Sequence, residues 1–170
     1  MIETERLIIK PLTYNQLEKY IRNDNSLEQE LNLNETSRSI SPELKEALEH
    51  TILPNVADTT KNYLYSTLWT LISKHDNKMV GDLCFTGTPN IDGEIEIGYG
   101  IYDIFEGKGF MTEAVEGMIL WAEKQPEVYA IIADTEKNNT ASFRVLEKNG
   151  FLKTGETGTL FHWKLKLNKK

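Results

Sequence analysis

The chain has 170 residues, with 26 acidic side chains against 19 Lys and Arg, for a formal net charge of −7. That length suits one domain, residues 1–170, with one core. The acid excess argues against a nucleic-acid-binding surface, which would carry a basic stripe, and favours a cationic substrate, although it is also an ordinary property of cytoplasmic proteins.

Residues 6–12 read as a first strand, and Leu17, Tyr20 and Ile21 recur at helical spacing within 15–23. The polar stretch 23–39 has no strong periodicity and is expected to be loop or broken helix near a substrate entrance. Ser41-Pro42 looks like an N-cap followed by proline at the first helical position, with Leu44, Ala47 and Leu48 as the buried stripe, and Pro54 ends or kinks that helix. From residue 65 the period changes to two, and 65–74, 78–86 and 94–102 read as three strands joined by turn formers into successive hairpins. Within the second of these lies Cys84, the only cysteine. It leaves no intrachain disulfide and no Cys-based metal site, and between Leu83 and Phe85 it reads as a buried, inert thiol. No metal is expected.

Val115, Met118, Ile119 and Ala122 mark a helix after the third of these strands, and 128–133 is the next strand. A strand, helix, strand crossover implies parallel pairing of its two strands. A short helix after Asn139 stops at Asn149-Gly150, and 151–154 with 160–167 close the sheet as a hairpin. Lys164, Lys166, Lys169 and Lys170 read as the solvated face of this last strand. No run approaches the ~20 apolar residues of a membrane span, and the opening Met1-Ile2-Glu3-Thr4-Glu5-Arg6 has no basic, apolar leader, so a cytoplasmic protein without membrane contact is expected.

The most informative segment is Glu106-Gly107-Lys108-Gly109-Phe110-Met111-Thr112-Glu113-Ala114, which puts two glycines where a strand ends and a helix begins. Glycine lets the backbone approach a ligand closely, and the unpaired amides and dipole of a helix N-terminus favour an anion. A P-loop would require G-x-x-x-x-G-K-S/T, and here Lys108 is followed by Gly109.

Taken with the opening Glu5-Arg6-Leu7-Ile8-Ile9-Lys10-Pro11-Leu12, the strand segment Ile97-Gly98-Tyr99 and the Asn139-x-x-Ser142 helix ending in Gly150-Phe151, the chain resembles the GNAT superfamily of acetyl-CoA-dependent N-acetyltransferases. It is most similar to the RimJ/RimL-like branch, and the match runs over nearly the whole chain. The resemblance implies a mixed, mostly antiparallel α/β sheet of about six to seven strands flanked by helices, opened in a V between the fourth and fifth strands. It implies acetyl-CoA as cosubstrate. The acceptor would be a primary amine, either a protein N-terminal α-amine or a small molecule, and the protein a monomer or homodimer. Aligned with the superfamily corner Q/R-x-x-G-x-G/A, the chain has Glu106 at the first position and Met111 at the last.

Acetyl transfer needs an anchored pyrophosphate, an aligned carbonyl, a neutral amine and a stabilised leaving thiolate. The amides of Gly107, Lys108, Gly109, Phe110, Met111 and Thr112 are the candidates for the pyrophosphate, with the Lys108 ammonium either a supplementary charge or an ordinary exposed lysine. The resemblance implies that the strand edge near Ile101 and Tyr102 pairs with the pantetheine arm and that a backbone amide there polarises the thioester. It also implies that Asn139 hydrogen-bonds the pantetheine and Ser142 assists the thiolate. As plain structure, Asn139 is a helix cap and Ser142 a first-turn hydroxyl, while Arg144 reaches a 3′-phosphate or is simply solvated. Glu94 and Glu96 share a strand face. Glu96 is the preferred base because it is nearer the Ile-Gly-Tyr segment, unless both glutamates only mark the solvent face. The competing reading is a non-catalytic acyl-CoA-binding module.

Overall fold

The computed structural model describes residues 1–169. Its sheet has eight strands: β1 (Ile2–Glu3), β2 (Leu7–Pro11), β3 (Leu68–Ser73), β4 (Lys78–Phe85), β5 (Glu94–Ile101), β6 (Ala130–Glu136), β7 (Leu152–Thr157) and β8 (Leu160–Lys166), in the order β1-β2-β3-β4-β5-β6-β8-β7. Seven correspond to expected strands. The eighth, β1, is a two-residue rung in which Ile2 faces Ile9, too short to show a period.

Every neighbouring pair is antiparallel except β5 and β6, which run parallel as the crossover requires. That parallel ladder covers only Glu94↔Ala130, Ile95↔Ile131 and Glu96↔Ile132. Beyond it β5 continues on β4, with Gly81 opposite Ile101, while β6 continues on β8, with Glu136 opposite Leu160. The two strands therefore part after Glu96, and a gap opens in the middle of the sheet.

The crossover helix α5 (Phe110–Glu123) covers one face of the sheet. Its Met111, Ala114, Val115, Met118 and Ala122 are buried with Leu7, Ile9, Leu71, Val80, Leu83, Phe85, Ile95 and Ile97. Burying a Leu, Val or Met side chain stabilises by about 1.5–3 kcal/mol, so this stripe fixes the helix to the sheet. Lys169 closes the other end of α5, its Nζ donating to the carbonyls of Glu123 at 3.1 Å and Gln125 at 2.6 Å, where a cation complements the helix C-terminus. Of the C-terminal lysines expected to be solvated, Lys169 is thus engaged, Lys164 bridges Glu94 at 2.5 Å, and Lys170 lies outside the described residues.

The opposite face of β2, β3 and β4 carries a second core under α1 (Tyr14–Arg22), α2 (Ser26–Glu30), α3 (Pro42–Ala47) and α4 (Leu53–Ala57). Thr13 and Gln16 form a reciprocal capping box at α1, and Ser41 caps α3 by accepting from the Leu44 amide at 3.1 Å. Pro54 neither ends nor sharply breaks its helix. A π-helical turn, Leu48–Ile52, precedes it and leads into α4, which absorbs the missing proline N–H. The 23–39 stretch is mostly irregular but firmly anchored. Arg38, buried beside Glu28 with Nη2 to Oε1 at 3.3 Å, donates through Nη1 to the Tyr20 carbonyl at 2.8 Å and lies over the Tyr20 ring. Among the described residues no helix is long and apolar enough to cross a membrane.

Candidate active site

The parting of β5 and β6 decides which backbone groups are free. Tyr102 N–H donates to the Val80 carbonyl at 2.9 Å, so Gly81 and Ile101 face each other as a non-hydrogen-bonded pair. By the alternation of an antiparallel ladder, Tyr99 and Ile101 then turn their N–H and C=O away from β4, toward the gap. The edge available to an extended ligand is thus Tyr99 and Ile101. Tyr102 does not take the expected part, because its amide is spent on β4 and its hydroxyl donates to Asp82 at 3.0 Å, on the far side of the strand.

After β5 a 3₁₀ turn, Asp103–Phe105, leads into the glycine corner. Gly107 has φ +75° and Gly109 φ +78°, backbone that L side chains rarely adopt. Gly109 is the N-cap of α5 and offers no side-chain cap, leaving first-turn amides for an outside acceptor. A Cβ built on Gly107 would meet nothing within 4 Å, so the space above it is open. The side chains of Phe110 and Met111 are buried in the core. The bulk of Met111 is thus largely taken up by the core.

The corner is pinned by the start of the chain, an arrangement the sequence reading did not assign. Glu113, in the first turn of α5, accepts from Thr4 Oγ1 at 2.6 Å, from the Arg6 amide at 3.0 Å and from Arg6 Nε at 3.0 Å. Arg6 also donates through Nη1 to the Lys108 carbonyl at 2.8 Å and lies over the Phe110 ring. Burial alone would raise the Glu113 carboxyl, but the bonds from Thr4 and Arg6 and the Arg6 charge outweigh it and hold the group below the usual carboxylate range.

A cleft of about 660 Å³ runs from this corner to the first turns of α6 (Thr140–Lys148). Ile101, Gly107 to Thr112, Asn139 and Ser142 all line it, and Tyr99, Arg144 and Lys148 join them. Glu106 lines it too, so three cations, Lys108, Arg144 and Lys148, stand against one carboxylate in a protein of net charge −7. Asn139 caps α6 by accepting from the Ser142 amide at 3.1 Å. At the other end of α6, Gly150 is left-handed at φ +84°, whereas Asn149 stays at φ −94°. Tyr99 Oη donates to the Ser142 carbonyl at 2.8 Å and lies 3.4 Å from Ser142 Oγ. Burial raises the Tyr99 phenol, partly offset by Ser142, so the pair enters the cleft as two neutral hydroxyls. Tyr99 belongs to the quoted Ile-Gly-Tyr segment, but its proximity to Ser142 needs the packing of α6 on β5.

Glu96 is not in this cleft. It sits on the opposite sheet face at the last parallel rung, half-buried, and accepts from Thr86 Oγ1 at 3.2 Å. Glu94 on the same face is occupied by Lys164 and Asn90, and the bond from Lys164 chiefly lowers its pKa. Glu96 is thus the one of the two without a cation bound. Cys84, beneath Gly98, is a free thiol pushed up to about 11 by burial and by the charges of Asp82 and Glu96, which keeps it protonated and inert.

The sheet parts where its parallel ladder ends, and an uncapped helix N-terminus and three cations stand beside the gap, the kind of geometry that suits an extended, phosphorylated ligand. Residues 6–152 match the acetyltransferase (GNAT) domain, and the chain belongs to that family. Among curated relatives, an uncharacterized N-acetyltransferase YjdG of Bacillus subtilis (strain 168) is 34% identical over 95 residues, 56% of each protein. A putative ribosomal N-acetyltransferase YdaF of the same organism is 30% identical over 82 residues, 48% of this chain and 45% of the relative. The chain thus spans about half the length of the curated relatives it matches. Solved structures match along nearly their whole length. RimL, a ribosomal L7/L12 alpha-N-protein acetyltransferase in complex with coenzyme A, aligns with TM-score 0.66 at 16% identity over 96% of each chain. The spermidine N-acetyltransferase of Vibrio cholerae, in complex with CoA and spermine, aligns with TM-score 0.65 at 13% identity over 96% of each chain. These likenesses establish the fold.

Proposed function

We propose that the protein is an acetyl-CoA-dependent N-acetyltransferase that moves an acetyl group to a primary amine, a protein N-terminal α-amine or a small-molecule amine, by direct attack in a ternary complex. The observation that carries this reading is the uncapped Gly107 to Gly109 corner opening onto the free edge of Tyr99 and Ile101. Bound acetyl-CoA supplies the activated acetyl thioester. The amides of the corner, with Lys108, Arg144 and Lys148, hold its phosphates, while the edge amides and Asn139 align the pantetheine.

Glu96 takes the ammonium proton, directly or through water, since an α-amine of pKa near 8 or a lysine-like amine near 10 is mostly charged at neutral pH. Ser142, with Tyr99 beside it, offers a hydroxyl to the leaving thiolate. Two of the proteins sharing the fold are named for acetyl transfer to ribosomal protein L7/L12 and to spermidine, and both names support an amine acceptor. The test is thermal stabilisation by acetyl-CoA but not by ATP or NAD, followed by thiol release with a panel of amines. No shift at millimolar acetyl-CoA overturns the assignment. Binding without release on any amine makes the protein an acyl-CoA-binding module instead.

A further inference from the structure

One ligand can use both the Tyr99 and Ile101 edge and the anion corner only if the chain between them holds a fixed course, and that course turns on Tyr102. This residue follows Ile101, the last of β5, and precedes the 3₁₀ turn that leads into Gly107. Its backbone is bonded on both sides, the N–H donating to the Val80 carbonyl at 2.9 Å and the carbonyl accepting from the Phe105 amide at 2.8 Å. The ring packs against both cores, and the hydroxyl donates to Asp82 Oδ2 at 3.0 Å. The joint between edge and corner is thus tied to β4 twice, through the main chain at Val80 and through a side chain at Asp82.

Asp82 is a costly residue to keep in that place. It stands on β4 opposite Gly100 of β5 and is 7% exposed. Its Oδ2 also accepts from Tyr20 Oη of α1 at 2.5 Å, but its Oδ1 has no hydrogen-bond partner among the described residues. Thr70, its neighbour on β3, lowers the carboxyl less than either tyrosine does and does not complete a hydrogen bond. Burial pushes the carboxyl up to about 6, against the bonds from Tyr20 and Tyr102. Burial and the Asp82 charge in turn raise both phenols, so that they remain donors. Apolar groups of the same shape would leave stability nearly unchanged or improved. Packing therefore does not account for a buried carboxyl with a bare oxygen, whereas a fixed acceptor for the Tyr102 hydroxyl does.

We propose that Asp82 is a positioning residue for acyl transfer, which acts through the Tyr102 hydroxyl to fix the free edge at Tyr99 and Ile101 relative to the Gly107 to Gly109 corner. The proposal rests on the reading of the cleft as an acetyl-CoA site. A ligand that bonds the corner through its pyrophosphate and the edge through its pantetheine arm senses the spacing between the two. A ligand that ends at the pyrophosphate senses the corner alone. Misplacement by about 1 Å can cost on the order of 10²-fold in rate. Loss of one hydrogen bond at the joint, with the bond to Val80 kept, should cost about tenfold in affinity for the longer ligand.

The experiment measures the affinities of acetyl-CoA and of 3′-phospho-ADP, which lacks the pantetheine arm, by calorimetry, with melting curves beside them. The proteins are wild type, Tyr102→Phe, Asp82→Leu, the double variant and Tyr20→Phe. Tyr102→Phe should bind acetyl-CoA about tenfold more weakly and 3′-phospho-ADP within about twofold of wild type. Asp82→Leu should show the same selective loss, and the double variant no more than either, because Asp82 acts through Tyr102. Tyr20→Phe removes the other bond to Asp82 and should lower Tm without changing the ratio of the two affinities. A loss shared by both ligands, additive losses in the double variant, or an unchanged ratio in Tyr102→Phe overturns the proposal. Should Asp82→Leu fail to fold, the contrast between Tyr102→Phe and Tyr20→Phe carries the test. If wild type binds neither ligand, the acyl-transfer reading fails separately. There, and wherever 3′-phospho-ADP alone binds too weakly to measure, amide hydrogen exchange decides the joint: faster exchange at residue 102 and Phe105 in Tyr102→Phe, with residues 68–73 as in wild type, supports the clamp, and equal exchange overturns it.

Discussion

Glu113→Gln tests whether the anion corner is held by the start of the chain. In the wild type both carboxylate oxygens accept, from Thr4 Oγ1, the Arg6 amide and Arg6 Nε. Glutamine replaces one oxygen with a donor, so at least one of these donors is left facing another donor. A hydrogen bond to a charged group contributes about 1.5–3 kcal/mol, but the Arg6 side chain is 42% exposed and its share is weakened by solvent. We expect a net loss of about 2 kcal/mol, which in a chain of this size lowers Tm by roughly 4–8 °C. The pH dependence follows from the direction of the shift. Glu113 titrates below its ordinary value in the folded protein, so its contribution is complete above the unfolded pKa of about 4.3 and disappears as pH falls through the folded value. Glutamine does not titrate. The stability gap between wild type and Glu113→Gln, measured by urea unfolding, should be full at pH 7 and begin to close below about pH 4.3. Acetyl-CoA should also bind more weakly to the variant, because Arg6 then holds the Lys108 carbonyl less firmly. Equal stability at pH 7, or a gap that stays constant down to pH 3, refutes the pin.

Gly109→Val should abolish stabilisation by acetyl-CoA in a protein that still unfolds cooperatively, since a β-branched residue resists φ +78°; the wild-type gain is about 2.7 kcal/mol at a hundredfold excess over Kd, read by thermal unfolding. Glu96→Gln should slow turnover by about 10²-fold with little change in acetyl-CoA affinity, the deficit shrinking at high pH where the amine loses its proton unaided. Ser142→Ala should cost less, since one hydrogen bond is lost and Tyr99 Oη remains nearby, and a loss exceeding that of Glu96→Gln would reverse the assigned roles. Asp82 is pushed up to about 6 by burial, against the opposing bonds from Tyr20 and Tyr102. The folded protein thus keeps a proton that the unfolded chain has lost, and wild type should fall relative to Asp82→Asn by about 2 kcal/mol between pH 4 and 7, at about 1.36 kcal/mol per pKa unit, while a pH-independent difference in denaturant midpoints would contradict the burial argument.

The regular elements were legible because period and punctuation agreed. Alternation marked β3, β4 and β5, the stripe Val115, Met118 and Ala122 marked α5, and Ser41-Pro42 and Asn139 marked helix starts that the structure caps as expected. The glycine corner was legible because positive φ is a local property of the chain. What could not be read is pairing between distant residues. Arg6 and Glu113 are 107 residues apart, Tyr20 and Asp82 are 62 apart, and nothing in either segment names its partner. Tyr102 went astray for a smaller reason. Adjacent residues of a strand point their amides to opposite edges, and which of Ile101 and Tyr102 faces the gap depends on the β4 register, which Gly81 fixes. A Cβ there would meet the Gly100 carbonyl at 2.6 Å, so the close approach of β4 to β5 requires glycine.

That alternation separates the work of β5 between its edge and its two faces. Tyr99 and Ile101 turn their side chains to the α5 face and their amides to the gap, whereas Glu96, Gly98 and Gly100 present the other face, two of them with no side chain at all. A ligand held at the gap by the odd residues is therefore open to attack only from the side the glycines leave bare, and Glu96 stands at the closed end of that opening, where the parallel ladder stops. A side chain larger than a methyl at Gly98 or Gly100 would fill the approach without touching the anion corner. The structure thus separates two kinds of defect: changes around Gly107 and Gly109 should weaken acetyl-CoA binding, and Gly98→Val should leave that binding intact while raising the KM for the amine, as calorimetry beside steady-state kinetics would resolve. Loss of acetyl-CoA affinity in Gly98→Val would mean that the two faces of β5 do not divide the work in this way.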